Sequence, residues 1–258
     1  MKFKELLVVI PHSGIIVPGE ITLDSISDDF SGLTRNVDWY TNWLYDFRDI
    51  LGNSQLIFPY CNLILESNRH PNTIDESVPL QDIFNVPVYR KGLEPDEKLR
   101  MKLSRKYLRT FHQRIQSQIE KGIMFMLDAH STLTARGMTD NQVELMNFQV
   151  NSEEKGLTYF CPDILIETYA NALIKLLPGI KVTVNQSRYD KVYGHICAEH
   201  STNTITRVRN RVPSILQETN QKLYMNADRT PDYKALETLR RAFAEALYQV
   251  RKKVLASR

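Results

Sequence analysis

Short runs of apolar residues recur along this chain, separated by stretches in which apolar residues return every three or four positions. Leu6 to Ile10 is apolar throughout, and Ile123 to Asp128 is apolar up to its final acid. Gln55 to Phe58, Cys61 to Glu66, Val143 to Val150, Ile180 to Val184 and Pro213 to Glu218 are less pure runs of similar length. Such runs suit strands buried on both faces of a mostly parallel sheet. Asp38 precedes Trp39, Leu44, Phe47 and Leu51, which predicts a helix with Asp38 as N-cap or first-turn acid and Gly52-Asn53 as its stop. Pro95-Asp96-Glu97 opens a longer helix, with Leu99, Leu103, Tyr107, Phe111 and Ile115 on one face as far as Lys121-Gly122. Pro162 to Leu177 and Asp232 to Leu255 read as two more. Residues 69–92 follow neither period and contain Pro71, Pro79 and Pro87. A loop that long in a compact domain is usually functional, so it is read as a lid or a wall of the site. Strands alternating with long helices predict an α/β fold of three layers, α/β/α, around a central mixed, mostly parallel sheet, in one catalytic domain over residues 1–258.

Composition narrows the possible partners. The chain is 42% hydrophobic and 24% charged, which argues against disorder. A net charge of +3 is too small to point to nucleic acid, and Arg207, Arg209, Arg211 and Arg251 to Lys253 read as solvated surface. Cys61, Cys161 and Cys197 form no C-x-x-C pair, which excludes zinc-finger and thioredoxin motifs and fits a reducing compartment. The N-terminal apolar run of about six residues is too short for a signal h-region or a membrane span. The expectation is a soluble, cytoplasmic protein that engages neither membrane nor nucleic acid.

The chemistry gathers where the apolar runs end. Pro11-His12-Ser13-Gly14, Asn68-Arg69, Asp128-Ala129-His130-Ser131 and Gln217-Glu218 each follow such a run. In parallel sheets the ligand site lies beyond the carboxyl ends of the strands, so the four fragments converge. His12 and His130 are candidate metal ligands, and Asp128, two residues before His130 on the same strand face, is placed to accept its second imidazole N–H. A carboxylate is the expected third ligand, with Asp38 the first choice and Glu20 the second. Arg69 offers a planar fork for a substrate carboxylate, with Asn68 adding an amide. The competing reading of Arg69 is an ion pair with Glu66. Glu218 ends an apolar run, where burial raises a carboxyl pKa and suits a general base; the competing reading is a salt bridge with a lysine. His112 reads as a core or supporting histidine. Tyr193, in a turn with Gly194, and His195 are candidate substrate contacts, as is His200.

In this order, Pro11-His12-Ser13-Gly14, Asn68-Arg69, Phe111-His112, Asp128-Ala129-His130-Ser131 and Gln217-Glu218 resemble the N-formylglutamate amidohydrolase family, from about residue 6 to residue 225. That family looks like the zinc carboxypeptidases, so the resemblance implies a zinc-carboxypeptidase-like or phosphorylase/hydrolase-like fold. It also implies one Zn2+ or other divalent ion held by His12 and His130, carboxylate recognition by Asn68 and Arg69, and Glu218 as base. Two departures stand out. The carboxypeptidase H-x-x-E is absent after His12, and Glu66-Ser67-Asn68-Arg69 stands where family members commonly have Asp-x-Asn-Arg.

The resulting expectation is a metal-dependent amidohydrolase acting on a small substrate that carries a carboxylate, such as N-formyl-L-glutamate. A carboxypeptidase-like peptidase using the same metal and base is the second expectation. A metal-free binding protein on the same fold is the third.

Overall fold

The computed structural model describes residues 1–34, 37–133, 139–151, 156–186 and 194–256. Six strands form the central sheet: β1 (Leu6–Ile10), β2 (Ser54–Ile57), β3 (Phe125–Thr132), β4 (Gln142–Met146), β7 (Lys181–Val184) and β8 (Ser214–Asn220), in the order β2-β1-β3-β8-β4-β7. β5 (Phe148–Asn151) and β6 (Gly156–Tyr159) form a separate antiparallel pair. The first four strands in the order run parallel, whereas β4 opposes β8 and carries β7 with it. The sheet is therefore mixed and mostly parallel, as the alternating pattern predicts.

Four single turns, α1 (Phe30–Leu33), α2 (Thr41–Leu44), α3 (Arg48–Leu51) and α4 (Ile74–Ser77), are joined by α5 (Glu97–Leu103), α6 (Arg109–Glu120), α7 (Asp163–Leu176), α8 (His195–His200) and α9 (Tyr233–Ala256). Successive strand residues point to opposite faces, so each strand feeds two cores. Leu6, Val8, Ile10, Phe125, Leu127, Ala129 and Ile215 pack with residues of α7 and α9. Leu7, Val9 and Met126 pack with residues of α5 and α6 on the other face. Each fully buried aliphatic side chain contributes about 1.5–3 kcal/mol. On that second face the pattern turns polar toward the strand ends. Asp128 and His130 follow Met126 at two-residue steps, and Glu218 follows Leu216. This change of character places a polar site at the carboxyl ends of the strands, under α6 and α8.

Four sequence expectations need correction. The run Cys61 to Glu66 is no strand: the Ile64 and Leu65 amides both donate to Cys61 O, a helical turn that turns Leu63, Ile64 and Leu65 into the second core. The helix expected from Asp38 starts only at Thr41, because Tyr40 takes a left-handed backbone (φ 60°) ahead of the first turn, and it is interrupted over residues 45–47, which separate α2 from α3. The long helix begins at its predicted cap, where Asp96 Oδ1 accepts from the Leu99 amide, but a π-turn over Ser104–Leu108 separates α5 from α6. The run Val143 to Val150 splits at Asn147, whose side chain donates to Cys161 O and Asp163 Oδ1 and so turns the chain out of the sheet. Residues 69–92, read as a lid or a wall of the site, carry one helical turn, α4, and are fastened to α5, where the Arg100 guanidinium donates to Val78 O, Ile74 O and Asp75. No helix among the described residues is long and apolar enough to cross a membrane.

Candidate active site

His12 enters the site on the loop after β1. Gly14 lets that loop lie against the β2 exit: a Cβ there would meet Pro59 C at 2.3 Å and Phe58 O at 2.5 Å. The Asp38 amide donates to His12 O (3.1 Å), which ties the acid to the same loop, and Thr41 Oγ1 donates to Asp38 O. The Asp38 side chain therefore caps no helix. Its Oδ2 is buried and has no hydrogen-bond partner among the described residues.

Three atoms face one point. His12 Nδ1 and His130 Nδ1 stand 3.2 Å apart, and Asp38 Oδ2 lies 3.6 Å from the first and 3.5 Å from the second. The other nitrogen of each ring is committed to a carboxylate. His12 Nε2 donates to Glu66 Oε1 (2.6 Å), and His130 Nε2 donates to Asp128 Oδ1 (3.0 Å). Both protons then sit on Nε2, and two Nδ1 lone pairs point at each other with a bare carboxylate oxygen beside them. With both rings neutral that arrangement is repulsive, and positive charge at this point relieves it, whether a proton on Nδ1 or a metal ion. Ligand atoms of a tetrahedral zinc ion at about 2.0–2.1 Å are about 3.3 Å apart, so the observed triangle has the right edges. The carboxylates behind the two histidines orient the rings as in known metal centres. His12, Asp38 and His130 thus form a possible three-residue metal site. Glu20 does not join them: Lys106 and Tyr107 both donate to its carboxylate.

The electrostatics favour positive charge at this point. Burial lowers the His12 pKa, but Glu66 and then Asp38 overcome it and hold the imidazole up at about 9. His130 behaves in the same way, raised against burial by Asp128 and Asp38. Asp38 and Glu66 are each held down at about 2 against burial by the histidines. Glu218 is the exception. In register it lies between His130 on β3 and Glu144 on β4, so its carboxylate shares one sheet face with both. Burial pushes its carboxyl up to about 8; His130 opposes the shift and Asp38 adds to it. Its Oε2 is buried, and among the described residues it has neither a hydrogen-bond partner nor a lysine bridge.

Asn68 is woven into this frame. Its Oδ1 accepts from the Ile196 amide, its O accepts from the His195 amide, and its Nδ2 lies 3.1 Å from His130 Nε2. Arg69 is half-buried, with Nη1 donating to Asn68 O and its charge felt by Glu66. His195 opens α8 and sets its ring against His70 and His112. Tyr193 lies outside the described residues.

Two contributors were not singled out from the sequence. Glu66 reads in the sequence as an ion-pair partner of Arg69, yet it accepts from His12; its place two residues before Asn68 in the motif is the local signal. Cys197, free and buried like Cys61 and Cys161, brings its thiol to 3.6 Å from Asp128 Oδ2, behind His130. Burial keeps that thiol protonated, and so a donor, by raising its pKa well above the ordinary value.

Comparisons with known proteins identify the family and the fold. Residues 4–225 match the N-formylglutamate amidohydrolase family. An N-formylglutamate deformylase of Pseudomonas aeruginosa is 27% identical over an alignment of 138 residues that covers 49% of this chain and 51% of that protein. The alignment thus spans about half the length of this curated relative. In three dimensions, N-formylglutamate amidohydrolase from Ralstonia eutropha JMP134 superposes with a TM-score of 0.74 over 100% of this chain and 96% of the other, at 16% identity. The gene product Atu2144 from Agrobacterium tumefaciens gives 0.66 over 98% and 90%, at 14% identity. These two likenesses establish the shared fold, and the family match over residues 4–225 assigns the chain: it belongs to the N-formylglutamate amidohydrolase family.

Proposed function

We propose that this protein is a zinc-dependent amidohydrolase that converts an N-acyl amino acid, N-formyl-L-glutamate in the first place, and water to the carboxylate and the free amino acid. The observation that carries the proposal is the triangle of His12 Nδ1, Asp38 Oδ2 and His130 Nδ1 beside Glu218. His12, Asp38 and His130 would hold the ion. When bound, the ion polarises the scissile carbonyl and makes a coordinated water more acidic. Glu218 removes a proton from the attacking water and delivers it to the departing nitrogen, which leaves as the amine. A raised pKa suits that task, because the group must accept a proton and later release it. Arg69 clamps the substrate carboxylate in its planar fork, with Asn68 and His195 on the same approach, and binding energy is converted into orientation; Tyr193 is kept as a substrate contact on its sequence alone.

The zinc-loaded protein is expected to release formate from N-formyl-L-glutamate, to lose that activity to a chelator, and to regain it with Zn2+. Arg69→Lys is expected to raise KM roughly tenfold or more, since a point charge cannot reproduce the fork. No formate release from any N-formyl amino acid by protein with one bound zinc would refute the proposal. Equal turnover of the free acid and its diamide would remove the role of Arg69.

A further inference from the structure

A chain of hydrogen bonds reaches the site from behind. His112 lies on the inner face of α6, buried to 8% exposure, and uses both ring nitrogens. Its Nε2 is 3.1 Å from Ser67 O, and its Nδ1 is 3.1 Å from His200 Nε2. A carbonyl only accepts, so His112 carries its proton on Nε2. Its Nδ1 then accepts from His200, whose proton is fixed on Nε2 in turn. His200, 3% exposed, has no hydrogen-bond partner at Nδ1 among the described residues, so the chain starts there and runs one way.

The receiving carbonyl belongs to the Ser67–Asn68 peptide, which is planar. The N–H of that same peptide donates to Glu66 Oε1 (2.9 Å), the oxygen that accepts from His12 Nε2 (2.6 Å). Turning the carbonyl would turn the N–H and release Glu66. The order is therefore His200, His112, the Ser67–Asn68 peptide, Glu66, His12. The next residue along the backbone is Arg69.

We infer that His112, backed by His200, is a positioning residue that sets the Ser67–Asn68 peptide plane and through it the Glu66 carboxylate, the His12 ring and the start of the Arg69 side chain. This rests on the function proposed above, because it supposes that His12 holds an ion and Arg69 a substrate.

The test uses the full-length protein. Zn2+ is titrated into the metal-free form against a competing chelator, and KM and kcat are measured on N-formyl-L-glutamate. His112→Leu fills the space without a donor. It is expected to weaken zinc binding roughly tenfold and to raise KM severalfold, the scale seen when the groups behind metal ligands are removed. His112→Gln returns an N–H near the Nε2 position and is expected to recover both values to within about threefold of wild type. If His112→Leu does not fold, His200→Leu decides the matter. It leaves His112 in place but frees its tautomer, and both values are expected to shift severalfold in the same direction. Wild-type zinc affinity and KM in a folded His112→Leu or His200→Leu protein would overturn the inference. Equal impairment of the Leu and Gln variants would do the same, because it would assign His112 to packing. Wild-type protein that binds zinc and turns over, paired with an unaffected variant, refutes this inference alone. Wild-type protein that does neither refutes the proposed function.

Discussion

The chain has six histidines, and the fold sorts them into two groups with opposite chemistry. His12 and His130 each donate from Nε2 to a carboxylate and turn Nδ1 toward Asp38. His70, His112, His195 and His200 meet one another instead, ring on ring, with centroids 4.7 to 5.4 Å apart. There His112 donates to a peptide carbonyl, and no carboxylate contact to the buried pair is seen among the described residues. The first pair is held up toward the charged form by its acids. Burial, followed by the neighbouring histidine charges, drives His112, His195 and His200 down to about 3. The comparison separates two uses of one side chain. Carboxylates behind the ring, with a bare oxygen in front, form a possible cation site. Carbonyl and imidazole partners make a neutral strut.

The strongest way to break this distinction is to remove a ligand from the first group. His12→Ala and His130→Ala are each expected to abolish retention of the single divalent ion and all hydrolysis. Metal analysis of protein purified without chelator checks this, and unchanged stoichiometry in both variants would dissolve the distinction. The next largest effect concerns the acid beside the pair. Glu218→Gln keeps the shape, so the variant is expected to fold and retain zinc while kcat falls by roughly 10²–10⁴. A general base must be unprotonated, so activity rises with pH through its pKa. The acidic limb of the wild-type pH–rate profile is expected to vanish in Glu218→Gln, and near-normal turnover would assign the base elsewhere.

Much of this was legible in the sequence because strand ends announce themselves. Pure apolar runs marked β1 and β3, and the polar residues that closed them were His12, Asp128 and His130. The two-residue step from Asp128 to His130 also gave their common face. What stayed hidden depended on contacts across the fold. The pairing of His12 with Glu66 spans 54 positions and depends on a tight turn at Cys61–Leu65 that reads as a strand in one dimension. The split of Val143 to Val150 turns on one buried amide, Asn147, whose partners are distant in sequence. Asp38 looked like a helix cap, and only the left-handed Tyr40 shows why its carboxylate is left for the site. The His112–His200 pair joins two helices and leaves no local pattern at all.

The smallest expected effect is also the one that sets the two groups most directly against each other, because their linkage to pH has opposite signs. His112 and His200 sit at about 3 in the fold and at about 6.5 when unfolded. Between these values the unfolded chain binds more protons, so stability falls as pH drops from 6.5 toward 3, and His195 acts in the same sense. His12 sits at about 9 in the fold. Its contribution is fully present below 6.5 and is lost as pH rises through 9, and Glu218, raised to about 8, loses its own over the range from 4.5 to 8. Metal-free protein is therefore expected to be most stable near neutrality and to weaken on both sides, by on the order of 1–3 kcal/mol from the buried histidines. Zinc changes only one side. It binds the unprotonated ligands, so saturating Zn2+ is expected to restore Tm above pH 7 while leaving the acid side of the free protein's profile in place near pH 6. His112→Gln is expected to do the converse, flattening the acid side without touching the alkaline one. Tm measured from pH 4 to 9, with and without zinc, reads both. An alkaline loss that survives saturating zinc, or an acid loss unchanged in His112→Gln, would show that the two groups do not differ in charge as their partners dictate.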